Sequence, residues 1–260
     1  MRRTEVKAVN PSSAFSSESV WDPKGAGYAS FVEQYVFWKK ALAESGYQEI
    51  LHNEIKGFLP RRVSLALDLG CGPGHHTLWL ADQVDHVVGI DISRTMIGLA
   101  KRQQSEKGRK NVDFIIADAR WLPFTEGALD FVVSINALQR LSLKEVFSRL
   151  PRLIAPGGRM VITDLVTPRP RLDAYPLWQV FGVLRKAPKY VKDCGLRTML
   201  RMLSFEMGAK WIRYNSENVR RGYRMTQETF EATYQRLLPG CRFKRYGWRC
   251  AVFWEASRHG

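Results

Sequence analysis

The stretch LALDLGCGPG at residues 65–74 predicts a buried strand that runs directly into a glycine-rich turn, and HHTLWLADQV at 75–84 predicts the helix that follows. One acidic residue and three glycines alternate along it: Asp68, Gly70, Gly72 and Gly74. A turn this tight needs residues without a β-carbon, either to reach positive φ or to let a ligand approach the backbone. The free N–H groups at the start of the helix would then face a bound polar group.

The spacing of the glycines separates this turn from the dinucleotide-binding fingerprint. That fingerprint is G-x-G-x-x-G, whereas Pro73 alone lies between the last two glycines here. The turn therefore leaves no room to wrap a pyrophosphate. Taken alone, the motif also fits an ordinary strand–helix turn.

Four further apolar runs follow the first strand, and polar residues stand at or near the end of each. They are VVGID at 87–91, VDFIIADA at 112–119, LDFVVSINAL at 129–138 and PGGRMVITD at 156–164. Because the runs alternate with helical stretches, they predict a mostly parallel sheet with crossover helices. The polar residues would collect at the carboxyl ends of the strands, where open α/β sheets bind ligands.

These motifs resemble those of the class I S-adenosylmethionine-dependent methyltransferases, in the small-molecule (type 11, UbiE-like) branch. The resemblance is carried by LDLGCGPG at 67–74, GIDIS at 89–93, ADARWLPF at 117–124 and LIAPGGRMVITD at 153–164. It spans about residues 60–165, with a final hairpin at 241–255. It implies an α/β, Rossmann-like fold, in which a seven-stranded, mostly parallel sheet has the order 3-2-1-4-5-7-6 and the last strand is antiparallel.

The resemblance implies S-adenosylmethionine as the cofactor and S-adenosylhomocysteine as the product. The residues implied to bind it are Asp68, Gly70, Cys71, Gly72, Gly74, Asp91, Ile92, Met96, Asp118, Ala119, Ser134 and Asn136. Asp68 and the turn would hold the methionine part, and Asp91 the ribose hydroxyls. Ile92 and Met96 would pack on the adenine, whose amino group Asp118 would bind. The alternatives are a helix-cap acid for Asp91, a turn residue for Asp118 and plain helix packing for Met96.

The sequence indicates no metal site, and methyl transfer from this cofactor requires none. No His/Cys cluster has the spacing of metal ligands. His75 and His76 are adjacent at a helix start, and adjacent residues do not share a helix face. His75 could instead line the cofactor or substrate pocket.

The fourth strand bears on the methyl acceptor. Amino methyltransferases that act on bases or Gln often carry (Asn/Asp)-Pro-Pro-(Tyr/Phe) there, whereas this chain has SINAL at 134–138, which resembles the small-molecule branch. In that branch a His often follows, but Gln139 and Arg140 stand here, and Gln cannot act as a general base. An acidic phenol or an enol would need positioning only. An alcohol or unactivated carbon would need a base within hydrogen-bond reach.

The candidate catalytic residues are Gln139, Asp164 and Tyr28, as positioning groups or substrate contacts. Asp164 ends the fifth apolar run, and a helix-cap or loop acid is the alternative. Tyr28 lies in the turn-like KGAGYAS and is a candidate lid residue; an aromatic packed at a helix start is the alternative. Further pocket candidates are Tyr175, Trp178, Tyr214 and Tyr223.

The composition fits a soluble enzyme of 260 residues in a reducing compartment. The four cysteines form no disulfide framework, and we expect no bond between Cys241 and Cys250 across the hairpin. The chain has no apolar run of about 18 residues, and its N-terminus lacks the apolar core of a secretory signal. We therefore expect a cytoplasmic protein.

The chain divides into five predicted segments. They are a mobile tail at 1–20, an N-terminal helical cap at 21–60, a cofactor-binding core at 61–165, a basic helical lid insertion at 166–225, and a last helix with a C-terminal hairpin at 226–260, which completes the core. Aromatic and aliphatic residues at helical spacing support a first cap helix near 31–38 and a second near 50–59, ended by Pro60.

The insertion is basic, aromatic and apolar at once. Residues 1–165 hold 21 Lys and Arg against 18 Asp and Glu, whereas residues 166–260 hold 19 against 7, so most of the net charge of +15 lies in the last third. One predicted helix face comprises Leu196, Met199, Leu200, Leu203, Met207, Trp211 and Tyr214. This face could pack on the core or roof a pocket. The basic residues could meet an anionic partner such as a carrier protein, a phosphorylated substrate or nucleic acid, or the helix could lie on an anionic membrane.

The function predicted is methyl transfer from S-adenosylmethionine to a small molecule, through oxygen, nitrogen or carbon. The aromatic content of the lid favours a sizeable apolar or aromatic acceptor, either a specialised metabolite or a lipid-like intermediate. An RNA methyltransferase is the second enzyme reading, although the sequence carries no nucleic-acid-binding module. A non-catalytic cofactor-binding protein, such as a cyclase helper, is the reading from another class.

Overall fold

One sheet organises the chain. The computed structural model describes residues 47–167, 187–208, 225–246 and 249–257, together with the single positions 36, 177, 180, 181, 184, 185 and 212. The strands are β1 (Ala66–Leu69), β2 (Val87–Asp91), β3 (Val112–Ile116), β4 (Leu129–Ile135), β5 (Ile154–Leu165), β6 (Arg242–Tyr246) and β7 (Arg249–Glu255). Their order is β3-β2-β1-β4-β5-β7-β6, which confirms the predicted topology.

The strand directions place a ligand crevice at the centre of the sheet. β1 to β5 run parallel to one another, whereas β7 pairs antiparallel with both β5 and β6. β1 lies between β2 and β4, so the chain order reverses at β1. In open α/β sheets, ligands bind outside the carboxyl ends of the strands at such a reversal.

Helices cover both faces of the sheet. Those with described bounds are α1 (Tyr47–Gly57), α2 (His75–Leu80), α3 (Arg94–Glu106), α4 (Leu143–Phe147), α5 (Ala187–Glu206) and α6 (Gln227–Leu237). Short 3-10 helices span Leu138–Arg140 and Leu150–Leu153. α2 is shorter than the helix predicted at 75–84, because the N–H groups of Asp82 and Gln83 bond three residues back and tighten the chain into a turn.

Two groups of buried side chains form the core, one on each face of the sheet. Alternate residues of a strand point to opposite faces, so Leu67 enters the first group and Ala66 the second. α6 covers the first face with Phe230 and Tyr234. α1, α2 and α3 contribute to the second. The apolar runs at β1, β2 and β4 are therefore buried on both sides, as expected of a parallel sheet, whereas the edge strand β3 exposes Asp113.

α1 corresponds to the second predicted cap helix and belongs to the core. Leu51 and Ile55 are buried in the second group. Phe58, just beyond the helix, packs edge-on against Phe253 of β7 with ring centroids 5.2 Å apart. The tail and the first cap helix lie outside the described residues, apart from the helical Val36.

The predicted insertion begins and ends at one point beside the sheet. Val166 bridges to Met225 in parallel, and the Thr167 N–H donates to the Met225 carbonyl at 3.0 Å. Within the insertion, α5 is interrupted at Gly195, whose φ of 79° and ψ of 163° are not helical.

The apolar face predicted for the second insertion helix is buried only in part. Met199 is buried, whereas Leu196, Leu200 and Met207 are exposed. Periodicity identifies the apolar face of a helix but not what covers it. Trp211 and Tyr214, predicted on the same face, lie outside the described residues.

The described cysteines Cys71, Cys241 and Cys250 are free thiols. In the β6–β7 register Cys250 lies opposite Arg245, which displaces it from Cys241. Within the described ranges, no helix combines the length and apolar character needed to cross a bilayer.

Candidate functional site

The glycine turn between β1 and α2 is fixed by hydrogen bonds to its neighbours. The N–H groups of Gly70 and Cys71 both donate to the carbonyl of Ile90 in β2, at 2.8 and 2.9 Å. From α3, the Gln103 amide donates to the carbonyl of Pro73 at 3.0 Å. Two neighbouring elements therefore hold the turn in one conformation.

The three glycines of the turn share positive φ but meet different surroundings: φ is 76° at Gly70, 54° at Gly72 and 86° at Gly74. A β-carbon on Gly70 would lie 2.2 Å from that of Ala137. One on Gly74 would lie 2.7 Å from the Phe114 ring. One on Gly72 would meet no described atom within 4 Å. Gly70 and Gly74 thus allow close packing, whereas Gly72 borders open space.

Asp91, the last residue of β2, reaches the tip of this turn. Its Oδ2 accepts a hydrogen bond from the Gly72 N–H at 2.9 Å, and its Oδ1 accepts one from the Ser93 N–H at 2.9 Å. The residue that caps α3 is Ser93, whose hydroxyl accepts from the Met96 N–H at 3.1 Å. The carboxylate is therefore held beside the open face of Gly72, and the N-cap residue of α3 is Ser93 rather than Asp91.

Two buried polar side chains, Asp68 of β1 and Ser134 of β4, make hydrogen bonds next to the start of the turn. Asp68 accepts a hydrogen bond from the Thr77 hydroxyl of α2 at 2.6 Å. Ser134 of β4 donates its hydroxyl to the Leu69 carbonyl at 2.8 Å. Thr77 was not predicted as a site residue, and its place three residues after Gly74 is the signal that could have found it. These contacts fix the end of β1 against its two neighbours.

Asp118, beyond the end of β3, is paired with Arg120, which the sequence reasoning missed. The guanidinium bonds both carboxylate oxygens at 2.6–3.0 Å, and the Arg120 N–H donates to Oδ1 at 2.8 Å. Burial favours a raised pKa for Asp118, but the hydrogen bonds and charge of Arg120 outweigh it and hold the pKa below its ordinary value. The acid–x–base spacing in ADAR was the available signal.

The end of β4 combines strain with unsatisfied polar atoms. Asn136 has a φ of 57°, uncommon for a residue with a side chain, and its N–H donates to the Thr163 carbonyl at 2.7 Å. In the part of the chain described, three buried atoms here have no hydrogen-bond partner: Asn136 Oδ1, Gln139 Oε1 and Thr163 Oγ1. Strained residues and unpaired buried polar groups often mark ligand sites.

Asp164, near the end of β5, is buried on the first core face. The Tyr234 hydroxyl of α6 lies 3.5 Å from its Oδ2. Burial and the charge of Asp164 raise the pKa of Tyr234 well above its ordinary value, so the phenol stays protonated and donates. The loop-acid alternative for Asp164 is wrong, because the residue lies within the strand.

The remaining predicted cofactor residues lie close to these groups in sequence. Cys71 is buried, and burial with the charges of Asp68 and Asp91 raises its pKa well above the ordinary value. The thiol is therefore not a nucleophile at neutral pH. Ile92 is exposed, Ala119 is half-buried and Met96 is buried in α3.

A histidine pair joins α1 to the helix after the turn, and the sequence reasoning missed it. His52 Nε2 lies 3.0 Å from Nδ1 of His76, and the His52 ring stacks on Trp79 at 3.8 Å between centroids. Burial lowers the pKa of His52 to about 4. No sequence signal links His52 to His76, since the contact depends on how α1 packs.

Several predicted residues cannot be placed. Tyr28, Tyr175, Trp178, Tyr214 and Tyr223 lie outside the described residues. Within the described ranges no three His, Cys, Asp or Glu side chains come together in a group able to hold a metal ion. The described site therefore offers an open turn, held carboxylates and unpaired amide oxygens, which suit holding a polar ligand.

Comparison with known proteins agrees with this arrangement. A family model described as a methyltransferase domain matches residues 66–158. An O-methyltransferase of Penicillium expansum is 33% identical over 154 residues, covering 57% of this chain and 54% of that protein. A demethylmenaquinone methyltransferase of Lactococcus lactis is 36% identical over 117 residues, covering 42% and 44%.

The fold is shared with solved structures. A SAM-dependent methyltransferase from Aquifex aeolicus superposes with a TM-score of 0.53 at 16% identity, covering 82% of this chain and 91% of its own. The chain spans about half the length of the curated relatives it matches. The matched residues 66–158 include the glycine turn, both strand-end acids and the strained end of β4. Residues 66–158 are therefore similar to methyltransferase domains, and the sheet has the fold of a solved S-adenosylmethionine-dependent methyltransferase.

Proposed function

We propose that this chain transfers a methyl group from S-adenosylmethionine to an acidic oxygen, a phenol or an enol, on a sizeable apolar small molecule. The observation that carries the proposal is the open space at Gly72 directly beside the carboxylate of Asp91. A ligand with hydroxyl groups can approach the backbone there and meet an acceptor already oriented by two N–H donors.

The residues present fit the cofactor of the family. In our proposal Asp91 accepts from the ribose hydroxyls, because a carboxylate can accept more hydrogen bonds than those from the Gly72 and Ser93 N–H groups. Asp118 accepts from the adenine amino group, and its lowered pKa keeps it an acceptor at neutral pH. Ile92 and Met96 supply apolar contact, and Ala119 a backbone N–H.

The methionine end of the cofactor requires hydrogen-bonding partners at the turn and at the end of β4. We assign these to the turn with Asp68 and Cys71 and to Ser134 and Asn136. The buried Oδ1 of Asn136, which has no partner in the described part of the chain, supports this, since a bound ammonium group would satisfy it.

When bound, S-adenosylmethionine supplies an electrophilic methyl group on a sulfonium centre. The task left to the protein is alignment, which can contribute about 7–11 kcal/mol to lowering a barrier. Gln139 can orient an acceptor through its amide but cannot remove a proton. For that reason we propose an acceptor that is acidic by itself, with Asp164 acting as a positioning residue through Tyr234 and Tyr28 contacting the substrate.

The relatives support the class of acceptor. The name of one, an O-methyltransferase, denotes transfer to oxygen, and the name of the other, a demethylmenaquinone methyltransferase, denotes action on a small molecule. We propose a specialised metabolite or lipid-like intermediate, roofed by a lid at residues 166–225. The free thiols of Cys71, Cys241 and Cys250 support a reducing, cytoplasmic setting.

The first test is calorimetric titration with S-adenosylmethionine and S-adenosylhomocysteine. We expect micromolar binding by the wild type and none by Gly72→Val, whose side chain would fill the open space. Gly127→Val is the matched control, because Gly127 also has positive φ (68°) with no described atom within 4 Å but lies away from the turn. Equal loss of cofactor binding in both variants would show that backbone strain at positive φ alone explains the loss.

The second test measures S-adenosylhomocysteine formation with phenol and enol panels and with metabolite extract of the native host. Product formed only with an acceptor present supports the proposal. Cofactor binding without turnover on any acceptor would favour the non-catalytic reading. Turnover on RNA, together with a salt-sensitive gel shift, would favour an RNA methyltransferase.

A further inference from the structure

Exposed apolar side chains concentrate in the insertion. Among the described residues, ten large apolar side chains are exposed, and seven lie between residues 177 and 207: Leu177, Phe181, Leu184, Val191, Leu196, Leu200 and Met207. Their exposed fractions run from 40% to 86%. Single exposed apolar residues are ordinary, but a concentration in one segment marks an interaction surface.

The first part of this segment presents one apolar helical face. Positions 177, 180, 181 and 184 are helical, and the Arg185 N–H donates to the Phe181 carbonyl at 3.1 Å, four residues back. Leu177, Phe181 and Leu184 are spaced i, i+4, i+7, so they share a face. All three are at least half exposed.

The second part repeats the arrangement on α5. Leu196 and Leu200 of α5 and Met207, which follows its last residue and whose N–H still bonds the Leu203 carbonyl four residues back, fall within about 40° of one another around the helix axis, and all are exposed. On one flank of this stripe, about 60–120° around the helix axis from its residues, Met199 and Glu206 are buried, at 7% and 2% exposure. The helix is therefore held against the protein by one side and directs its apolar stripe outward.

Basic residues border this stripe. Arg197 and Arg201 are exposed and lie about 60–100° further around the helix axis than Leu200. Across residues 166–225 the sequence has 13 Lys and Arg against four Asp and Glu. A second copy would bring the same positive charge, so electrostatics disfavour self-association through this segment. An outward apolar stripe beside arginines is the pattern of a helix that lies in the headgroup region of an anionic bilayer.

We propose that the exposed side chains described from residue 177 to residue 207 form a docking surface for anionic lipid bilayers, a role that does not rest on methyl transfer. The six apolar side chains of the two stripes enter the acyl boundary. Arg197 and Arg201 extend their charged ends to the lipid headgroups, as long basic side chains do at interfaces. Docking would bring an apolar acceptor dissolved in the membrane next to the insertion.

The test is co-sedimentation of the full chain with vesicles of phosphatidylcholine alone or mixed with phosphatidylglycerol. We expect binding to the mixed vesicles that weakens as salt is raised. Leu196→Gln with Leu200→Gln should weaken binding at least tenfold. Arg197→Gln with Arg201→Gln should weaken it about fivefold for each charge lost. Ile50→Gln is the matched control, because Ile50 is equally exposed but lies on α1, outside the segment.

Several outcomes would overturn the proposal. These are no binding to either vesicle, equal binding to both, or unchanged binding of the leucine variant. Concentration-dependent dimerisation in ultracentrifugation that the leucine variant abolishes would assign the surface to a second copy. Specific retention of a soluble acidic protein without vesicle binding would assign it to a protein partner. Cofactor titration of each variant keeps this result separate from the proposed function, because docking variants should bind the cofactor normally.

Discussion

The glycine turn at residues 70–74 and helix α5 of the insertion each contain a glycine with positive φ next to apolar residues, yet they use it differently. In the turn, Gly70 and Gly74 bring the backbone against Ala137 and Phe114. In α5, a β-carbon on Gly195 would meet no described atom within 4 Å, and leucines on the following turn are exposed. The turn is determined by its neighbours, whereas α5 faces solvent along one side.

This difference separates two uses of apolar sequence. Around the turn, apolar residues lie in a parallel sheet that buries both faces, so packing and hydrogen bonds fix every position. In the insertion the same residue types remain exposed to water, which is unfavourable. A binding partner that covers them would remove this unfavourable hydration. We expect substitutions at the turn to change stability and cofactor binding, and substitutions on the exposed stripe to change neither.

The largest effect is expected from Gly70→Ala. The new β-carbon would lie 2.2 Å from that of Ala137, and with the unfavourable φ we expect a loss on the order of 3 kcal/mol in urea unfolding. Adding Ala137→Gly should restore part of the loss. Gly127→Ala, where only φ is unfavourable, should cost about 1 kcal/mol. Equal costs at Gly70 and Gly127 would contradict the packing role.

Asp91→Ala comes next. Two N–H groups would lose their acceptor, and we expect affinity for S-adenosylmethionine to fall by about 1–3 kcal/mol in calorimetry. Asp113→Ala is the control, since Asp113 is an exposed carboxylate in β3 whose bond is to His86. An unchanged affinity in the Asp91 variant would rule out its ribose role.

His52→Phe tests the contact between α1 and the helix that follows the turn. The pKa of His52 is held at about 4 in the fold, below its ordinary 6.5. As pH falls, His52 therefore takes up a proton at a higher pH in the unfolded chain than in the folded protein. Its contribution to the free energy of unfolding is full above about pH 7 and is lost toward pH 4. Phe keeps the stacking on Trp79 without titrating. Between pH 7 and 5 the wild type should lose about 1 kcal/mol more than the variant, allowing for partial exposure. Parallel pH curves would show that His52 does not couple to stability.

The smallest effect is expected at Leu200. Leu200→Ala should change the free energy of unfolding by less than about 0.5 kcal/mol. The adjacent Met199→Ala should cost about 2 kcal/mol, because Met199 is buried. If the two substitutions lowered the free energy of unfolding by similar amounts, the exposed stripe of α5 would pack against the protein. The insertion would then be packed as closely as the glycine turn.

The chain's local patterns were enough to predict the parallel strands and the turn, whereas the strand order was implied by the resemblance to a known family. Parallel strands buried on both faces leave continuous apolar runs, and a positive-φ turn leaves glycines, so these features are written in residue type. The placement of Asp68, Asp91 and Asp118 at or near the ends of strands follows from the same alternation of apolar runs and polar residues. These features depend on neighbours in sequence.

Only the tertiary structure decided which partners those residues meet. Gly70 and Gly74 pack closely while Gly72 borders open space, because Ala137, which follows β4, and Phe114 of β3 lie against the first two. The pairing of His52 with His76 likewise depends on how α1 packs. The exposure of the α5 stripe was also undetermined, since periodicity defines a face but the three-dimensional arrangement of the other elements decides whether anything covers it.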